Sequence, residues 1–392
     1  MSTGFSAFRA TLAAALRDKG MVIFFLLAVP VYSFFYPIAY STQAVRDVPV
    51  EIVDIDRSSL SRQLRLQLAA EPTLRIVGEA PSIIEASKHL ASGSIAGIIA
   101  IPDGFQYDVL RGANTAVTTF GSGAYPVQDK AVLTSVAAVV VELAGRTGVT
   151  RAVREGMPPA AVLQAVAAGP AFAEQPLYNL TSGYGSYVVA AVAILIVQQI
   201  ILIGIAGLTG TWTEERAEPL FGDTAPGFVA LTGTAAAFAM FALLALLYMI
   251  GFVFWFHDYP RGGNTGVAMA FSVLMAAVIA MLGIALGSWF ANRERALQVM
   301  LATSVPFLFL SGVVFPRESI PGPLNALAAL VPTTPGINGF VRLNQMGASF
   351  SEVASEFAHL AALLALYACI AWWAVQRRRR VIGQASILGS GC

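Results

Sequence analysis

Six long apolar runs alternate with charged segments along the chain. The runs contain no Asp, Glu, Lys or Arg, and they cover residues 21–40, 184–210, 226–256, 264–290, 297–315 and 357–376. A helix needs roughly 20 apolar residues to cross a bilayer. We therefore predict a polytopic α-helical membrane protein with six transmembrane helices. The first run is longer than the apolar core of a secretory signal peptide, about 7–15 residues, which disfavours that alternative.

The segment between the first two spans, residues 41–183, has a different pattern. Short apolar stretches typical of strands alternate with amphipathic stretches typical of helices. The predicted strands are 48–56, 73–79, 95–102 and 115–122, and the predicted helices are 58–71, 81–92, 103–112, 126–145 and a shorter one near 158–168. We expect a small α/β domain inserted after the first span, with the wholly apolar strand 95–102 near its centre.

The distribution of basic residues predicts the orientation of the spans. With the N-terminus in the cytoplasm, the inner flanks hold ten basic residues and the short outer loops hold three. Cytoplasmic flanks of membrane proteins carry such an excess of Lys and Arg. Both termini, including the tail 377–392, are therefore predicted to be cytoplasmic. The α/β domain is then external, and periplasmic if the membrane is a bacterial inner membrane.

Composition narrows the function. Hydrophobic residues make up 56% of the chain, charged residues make up 12%, and the formal net charge is +1. These values argue against a soluble enzyme and leave no basic surface for a nucleic-acid partner. The three lysines are Lys19, Lys88 and Lys130, and none stands in the Gly-Lys-Ser/Thr sequence of a phosphate-binding loop. Any ATP and magnesium would therefore be bound by another subunit.

Two predicted cytoplasmic features are candidates for docking a partner. Residues 1–20 form an amphipathic interfacial helix, whose apolar stripe consists of Phe5, Phe8, Leu12 and Leu16. Residues 211–225 form a loop with the charged residues Glu214, Glu215, Arg216 and Glu218. The alternatives are a plain extension of the first span for the helix and a solvated surface for the loop.

Candidate chemistry elsewhere is sparse. Gln198 and Gln199 lie inside the second span, where glutamines either pack helices together or contact a substrate. His89 has no second histidine at helical spacing, so we predict no metal site and a solvated side chain. Asp54 and Asp56 lie at the end of the predicted strand 48–56, where they either cap the next helix or contact a ligand.

Three passages resemble a known family of membrane proteins. The first comprises IVDIDRSSLSRQL and the later SGSIAGIIAIPDGFQYDVLRG, and the second runs from LYNLTSGYGSYVVAAV to WTEERAEP. The third is FLFLSGVVFPRESIPGPLNALAALVPTTPGINGFVRLNQMGASFSEV, with its Phe-Pro, Ile-Pro and Val-Pro pairs. Together they are similar to the permease subunits of type-2 ABC exporters, in the subgroup with a large external domain after the first span.

The resemblance implies specific partners and roles. It implies a second permease, identical or paralogous, and two ATPase subunits that receive the interfacial helix and the 211–225 coupling loop. Coupling is carried over to Glu214, Glu215, Arg216 and Glu218, although this loop lacks the Glu-(x)-Gly-Thr continuation of many relatives. Segment 316–356 is implied to form short external helices that close the outer mouth, broken at Pro316, Pro321 and Pro332.

The leading hypothesis is an export permease for an amphipathic or hydrophobic substrate, without enzymatic activity of its own. A periplasmic adaptor is a further candidate partner of the external domain. The alternative is a membrane-anchored receptor or cell-envelope assembly factor that acts through this domain. A membrane-anchored hydrolase is disfavoured, because the sequence shows no recognisable pairing of a nucleophile with a base.

Overall fold

The computed structural model divides into two compact units. One combines Met1–Gln43 with Pro176–Cys392, and the other is Ala44–Gln175. We call the first the membrane unit and the second the α/β unit. The residues that the structure describes are 3–38, 45–113, 115–154, 156–158, 184–215, 227–259, 261–290, 292–312, 314–315 and 317–389.

The membrane unit starts with two helices, α1 (Thr3–Arg17) and α2 (Lys19–Ile38). Helix α2 contains a π-helical turn at Ile23–Leu27, where the N–H of Ala28 bonds to the carbonyl of Ile23. A π turn bonds residues five positions apart, one more than in an α-helix, and such turns are rare inside α-helices.

A four-stranded sheet forms the centre of the α/β unit. The strand order is β2-β1-β3-β4, with β1 parallel to β2 and β3, and β4 antiparallel to β3. The elements in chain order are β1 (Val48–Asp54), α3 (Ser59–Ala70), β2 (Leu74–Glu79), α4 (Ile83–Ser92), β3 (Gly97–Ile101), α5 (Phe105–Arg111), β4 (Thr118–Gly121) and α6 (Pro126–Arg154). Each predicted strand is present, and β3 is fully buried between two neighbours. Residues 159–168 of the shorter predicted helix lie outside the described residues.

Helices cover both faces of this sheet. Leu64 of α3 and Val136 of α6 belong to one hydrophobic core, and Ala86 of α4 belongs to the core on the opposite face. The two cores are separate because side chains alternate along β1. Val50 and Ile52 face the first core, and Val53 faces the second.

His89 is partly solvated, with 44% of its side chain exposed, and it also pairs with Glu51, which the sequence did not predict. Glu51 lies on β1 between Val50 and Ile52 and therefore points towards α4, where only 13% of its side chain is exposed. The Nδ1 atom of His89 lies 2.9 and 3.0 Å from the two carboxylate oxygens of Glu51. A carboxylate that leaves water requires a polar partner, and the histidine supplies it.

The two aspartates at the end of β1, Asp54 in its last position and Asp56 just beyond it, stabilise local structure. The Asp54 carboxylate accepts the backbone N–H of Arg57 at 2.9 Å and the hydroxyl of Ser61 at 2.7 Å. The Asp56 carboxylate accepts the backbone N–H of Gln106 at 3.2 Å. These contacts join the start of α3 and the start of α5 to the end of β1.

Helix α3 offers a direct test of the core of the α/β unit. Leu64 is fully buried, whereas Leu66 is 69% exposed on the same helix. We expect Leu64→Ala to destabilise the unit by about 3 kcal/mol, because buried leucine truncations cost roughly 2–5 kcal/mol. Hydrogen exchange of the β3 amides in the full chain measures the change. Leu66→Ala is the matched control, and equal effects of the two changes would contradict the packing.

Eight further α-helices of the membrane unit lie within the described residues. They are α7 (Tyr184–Glu215), α8 (Gly227–Phe256), α9 (Thr265–Gly287), α10 (Arg293–Ala302), α11 (Ser304–Leu310), α12 (Gly322–Ala329), α13 (Thr333–Phe340) and α14 (Ala354–Gly389). Helix α7 is almost entirely buried and contacts α8, α9, α10 and α13. Two further π turns occur, one in α8 at Tyr248–Val253 and one directly after α13 at Val341–Gln345.

Within the described residues, six helices are long and apolar enough to cross a membrane. Five of them, α2, α7, α8, α9 and α14, coincide with predicted spans. The sixth is α6 of the α/β unit, where Val132, Val136, Val139 and Leu143 are buried in the core beside the sheet. The apolar helices are consistent with a polytopic helical membrane protein.

The predicted single span at 297–315 is wrong in detail. This stretch forms two helices, α10 and α11, which are separated at Thr303. Pro306 lies in the first turn of α11 and has no N–H for the carbonyl of Ala302, so the helix is interrupted there. Helix α11 ends at Leu310, before the predicted end of the span.

Candidate coupling site

Three helix ends meet in the membrane unit at the level of the predicted cytoplasmic loop. They are the junction of α1 and α2, the C-terminal end of α7 and the N-terminal end of α10. Charged side chains connect these ends, and we call this group of residues, Asp18, Thr211, Glu214 and Arg293, the coupling site.

Asp18 stands between α1 and α2 and caps the second helix. Its Oδ1 atom accepts the backbone N–H of Gly20 at 2.9 Å and of Met21 at 3.2 Å. Aspartate is among the best N-cap residues because it satisfies N–H groups that have no partner within the helix. The chain therefore turns at Asp18, and the carboxylate is held in a defined position.

Arg293 forms an ion pair with this capping carboxylate. Its Nη1 atom lies 2.7 Å from Asp18 Oδ2, and its Nη2 atom lies 3.4 Å from Asp18 Oδ1. The exposed fraction is 30% for the arginine side chain and 18% for the aspartate side chain. A two-point contact between a guanidinium and a carboxylate fixes direction as well as distance. Arg293 Nη1 also lies 3.5 Å from Thr211 Oγ1 of α7.

Glu214 joins the end of α7 to the start of α10. Its Oε1 atom accepts the backbone N–H of Arg293 at 3.2 Å, and Asn292 caps the same helix through the N–H of Arg295. A carboxylate at a helix N-terminus is favoured by the unpaired N–H groups and the helix dipole. Arg293 thus connects to two acidic residues, one through its side chain and one through its backbone.

Two glycines allow these helix ends to approach. A Cβ atom at Gly210 would lie 2.8 Å from the Cα of Arg293, closer than such atoms can come. A Cβ atom at Gly20 would collide with the Arg293 guanidinium. A larger residue at Gly210 would push α10 away from α7, whereas one at Gly20 would displace the Arg293 guanidinium from its contact with Asp18.

The structure assigns only part of the predicted coupling residues to this site. Glu214 belongs to it, the side chain of Glu215 is not described, and Arg216 and Glu218 lie outside the described residues. Their part in coupling stays a prediction. Asp18 and Arg293 were missed as a pair, because the charge count recorded Arg293 only as one of several inner basic residues.

The interfacial helix packs through a face that the sequence pattern did not single out. Ala7, Thr11 and Ala15 of α1 are buried, and the hydroxyl of Thr11 lies 3.1 Å from that of Thr234 on α8. In the predicted stripe, Phe5 and Leu16 are each 48% exposed, while Phe8 and Leu12 are partly buried. Small residues thus form the close protein contact, Leu12 packs beside the core, and Phe5 and Leu16 face the surroundings.

The two glutamines of α7 have different environments. Gln199 Nε2 donates to the hydroxyl of Ser304 at 2.9 Å and also lies within 3.4 Å of Met300 O and Thr303 Oγ1, across the break between α10 and α11. Gln198 is completely buried, and neither polar atom of its side chain has a hydrogen-bond partner. Gln199 therefore has a structural role, and a substrate-path role of either residue stays a prediction.

Replacing each glutamine by leucine separates these roles. We expect Gln198→Leu to raise the thermal midpoint, because it removes buried polar atoms whose lack of partners costs about 1–3 kcal/mol each. We expect Gln199→Leu to increase hydrogen exchange in α11 about threefold, since hydrogen bonds between membrane helices average about 0.6 kcal/mol. A lower midpoint for Gln198→Leu, or equal exchange in both variants, would contradict this assignment.

The predicted outer segment contains short helices that start at prolines. Helix α12 begins directly after Pro321, and α13 begins directly after Pro332. Pro316 lies outside the described residues. Proline suits a helix start because its missing N–H is not needed there. A gating role for this segment stays a prediction.

Taken together, the buried apolar helices and the charged contact where three helix ends meet describe a multi-pass helical membrane protein. A protein-family model described as ABC-2 family transporter protein matches residues 19–373. The chain belongs to this family, whose members are permease subunits that transport substrates across membranes and are not themselves catalytic enzymes. In general, the family implies ATPase partner subunits and a dimeric assembly. No curated protein matches the chain.

Proposed function

We propose that this chain is the permease subunit of an ATP-driven exporter for an amphipathic or hydrophobic substrate. The observation that carries the proposal is the position of Arg293, which bonds to Asp18 beside the interfacial helix and to Glu214 at the start of the coupling loop. Arg293 thus contacts both elements that the family resemblance implies to bind the ATPase, the interfacial helix and the coupling loop. The absence of charged residues from α9 supports an apolar substrate.

The contacts suggest how force would reach the transport path. Partner ATPases that close on ATP would push the interfacial helix and the loop after α7. The Asp18–Arg293 pair would transmit the displacement to α10, and Glu214 would keep α7 and α10 together. Farther along, Gln199 joins α7 to the α10–α11 break, so the two helices would move as a pair.

The proposed assembly follows the family. Two permeases, identical or paralogous, would combine with two ATPase subunits that bind ATP and magnesium. Both termini would face the cytoplasm of a bacterium, and the α/β unit would project from the other side of the inner membrane. A periplasmic adaptor would bind there.

Co-purification tests this function. The tagged chain, expressed with the ATPase encoded beside it, is expected to bring that ATPase through purification in detergent. In nanodiscs the complex is expected to hydrolyse ATP, and Glu214→Arg is expected to lower the rate about tenfold, because an inserted cation opposes the N-terminus of α10 and Arg293.

A charge reversal elsewhere controls for general effects. Glu142→Arg changes an exposed residue of α6 that pairs only with Arg146 among the ion pairs of the described residues. It is expected to leave ATP hydrolysis unchanged. Failure of the ATPase to co-purify would refute the proposed assembly, and an unaffected Glu214→Arg variant would refute the proposed coupling.

A further inference from the structure

An exposed aromatic surface lies at one end of the membrane unit, where α8 begins and where α9 and α14 end. The ring centroids of Trp289 and Trp373 lie 5.8 Å apart, and the ring of Phe228 lies edge-on to that of Trp372 at 5.9 Å. Phe228, Trp289 and Trp373 are each more than half exposed. We call these four residues and Arg377 the tryptophan surface. Trp289 lies in the connection from α9 to α10, so this surface is at the same end of the bundle as the coupling site.

The tryptophan surface lies at the level of the span ends. One candidate span begins at Gly227, and two others end at Gly287 and Arg377, so Phe228 and Trp289 lie at the span edges. Tryptophan is enriched at membrane–water interfaces, because its large ring is apolar and its N–H group bonds to water or headgroups. Exposed rings at this level therefore suit the headgroup layer of a bilayer.

Arg377 places a positive charge on this surface. Its guanidinium carbon lies 5.7 Å from the centroid of the Trp373 ring, within the range of a cation–π contact. None of the ion pairs among the described residues includes Arg377. The contact with the ring uses the face of the guanidinium, whereas its N–H groups lie in the plane and can donate to two oxygens of a phosphate. Arg377 thus offers a positioned donor for an anion.

The sequence around Arg377 favours an anion with a net negative charge. Three more arginines follow it directly at 378–380, and no Asp or Glu occurs between Glu356 and Cys392. Basic residues directly beside a membrane span attract anionic lipids. A zwitterionic headgroup is attracted less, since it carries its own cation beside the phosphate. The charge of this segment is therefore complementary to an anionic headgroup.

We propose that the tryptophan surface binds the headgroup of an anionic phospholipid, such as phosphatidylglycerol. Arg377 donates to the phosphate oxygens, and the rings of Trp289 and Trp373 pack against the glycerol and the first methylenes of the chains. This site goes beyond the proposed export function, since it needs only that the chain lies in a membrane. An acidic segment of an ATPase subunit would also suit the charge, but it gives no reason for exposed rings at the level of the span ends.

Lipid binding to the purified full chain tests the proposal without any ATPase. Native mass spectrometry in detergent measures how much phosphatidylglycerol and phosphatidylcholine stay bound when the two lipids are offered at equal concentration. We expect a preference of about tenfold for phosphatidylglycerol, in line with the attraction of several basic residues near the bilayer surface. Equal retention of the two lipids overturns the proposal.

Single substitutions assign this preference to the tryptophan surface. Arg377→Glu is expected to lower it about tenfold, because the donor is replaced by a charge that repels the headgroup. Arg377→Lys is expected to keep part of it, since lysine retains the charge but not the planar set of donors. Arg261→Glu is the matched control, because Arg261 is an exposed arginine in the connection between α8 and α9, at the opposite end of the bundle. An unchanged preference in Arg377→Glu, or an equal loss in Arg261→Glu, overturns the proposal.

Thermal stability gives an independent readout. Without added lipid, Arg377→Glu is expected to keep the thermal midpoint of the wild-type chain, because the side chain is exposed. Added phosphatidylglycerol is expected to raise the midpoint of the wild-type chain more than that of the variant, since a ligand stabilises the state that binds it. Equal stabilisation of the two chains overturns the proposal. If Arg377→Glu then also prevents co-purification of the ATPase, the surface belongs to the contact with that subunit.

Discussion

Arg293→Ala is expected to lower ATP hydrolysis by the assembled transporter at least about tenfold while the chain still inserts and assembles. The substitution removes the only side chain that connects Asp18 to α10 among the hydrogen bonds of the described residues. It leaves a partly buried carboxylate unpaired, which costs about 2 kcal/mol, below the 3–5 kcal/mol of a fully buried pair. ATP hydrolysis in nanodiscs and the thermal midpoint measure the two effects.

Matched variants show which property of the Asp18–Arg293 pair is responsible for the expected drop in ATP hydrolysis. Asp18→Asn keeps a good helix cap but loses the charge, whereas Asp18→Ala loses both. Arg293→Lys keeps the charge but not the two-point contact. We expect a double-mutant cycle of Asp18→Asn and Arg293→Ala to be strongly non-additive, because both changes remove the same interaction. Arg295→Ala, at an exposed position on the same helix, is the control, and an equal effect there would contradict a specific link.

Gly233→Leu is expected to detach α1 from the bundle. A Cβ atom at Gly233 would overlap the backbone carbonyl of Gly4 and lie 3.1 Å from the Cβ of Ala7. The backbone of α1 cannot yield without losing the Thr11–Thr234 hydrogen bond. Overpacking in a close contact costs about 1–3 kcal/mol, so the helix is expected to separate rather than to adjust.

Hydrogen exchange of the α1 amides measures this separation. We expect exchange to accelerate about tenfold or more in Gly233→Leu, in line with a loss of about 1.4 kcal/mol or more. Gly251→Leu is the control on the same helix, since a Cβ atom there meets nothing within 4 Å. Unchanged protection of α1 in Gly233→Leu would mean that this contact does not hold the helix.

The elements that could be predicted from the sequence are those with a local pattern. The strand at Val48–Asp54 alternates, the strand at Gly97–Ile101 is apolar throughout, and the spans α7, α8 and α9 are free of charge over most of their length. In each case the hydrophobic effect acts on neighbouring residues. The positions of these strands and spans can therefore be predicted from the periodicity of apolar residues in the sequence.

The contacts that could not be predicted join residues far apart in the chain. Asp18 and Arg293 are separated by 275 positions, and Glu51 and His89 by 38. No local pattern indicates which of many charges will meet. The break at Thr303 was missed for the opposite reason, because the apolar run outweighed the proline that interrupts it.

The family resemblance supplied what the patterns could not. It led from the acidic residues after the second span to a coupling role that stays a prediction, and the structure adds that Glu214 accepts the backbone N–H of Arg293. It did not indicate that α1 packs through Ala7, Thr11 and Ala15. Small residues have weak patterns in a sequence, although they decide how closely two membrane helices approach.

The π turn of α2 changes the side of the helix that the residues after it face. Met21, Phe25, Val29, Ser33 and Pro37 are buried at intervals of four residues. An α-helix advances about 100° per residue, so its faces drift about 40° over each interval, and Pro37 would point about 160° away from Met21. The π turn contains one extra residue, which offsets about 100° of this drift. The buried residues of the N-terminal and C-terminal halves of α2 therefore return towards the same side. Ser33 can consequently reach the hydroxyl of Tyr248 at 3.1 Å. The extra residue thus acts as a register adjustment between the N-terminal and C-terminal halves of α2.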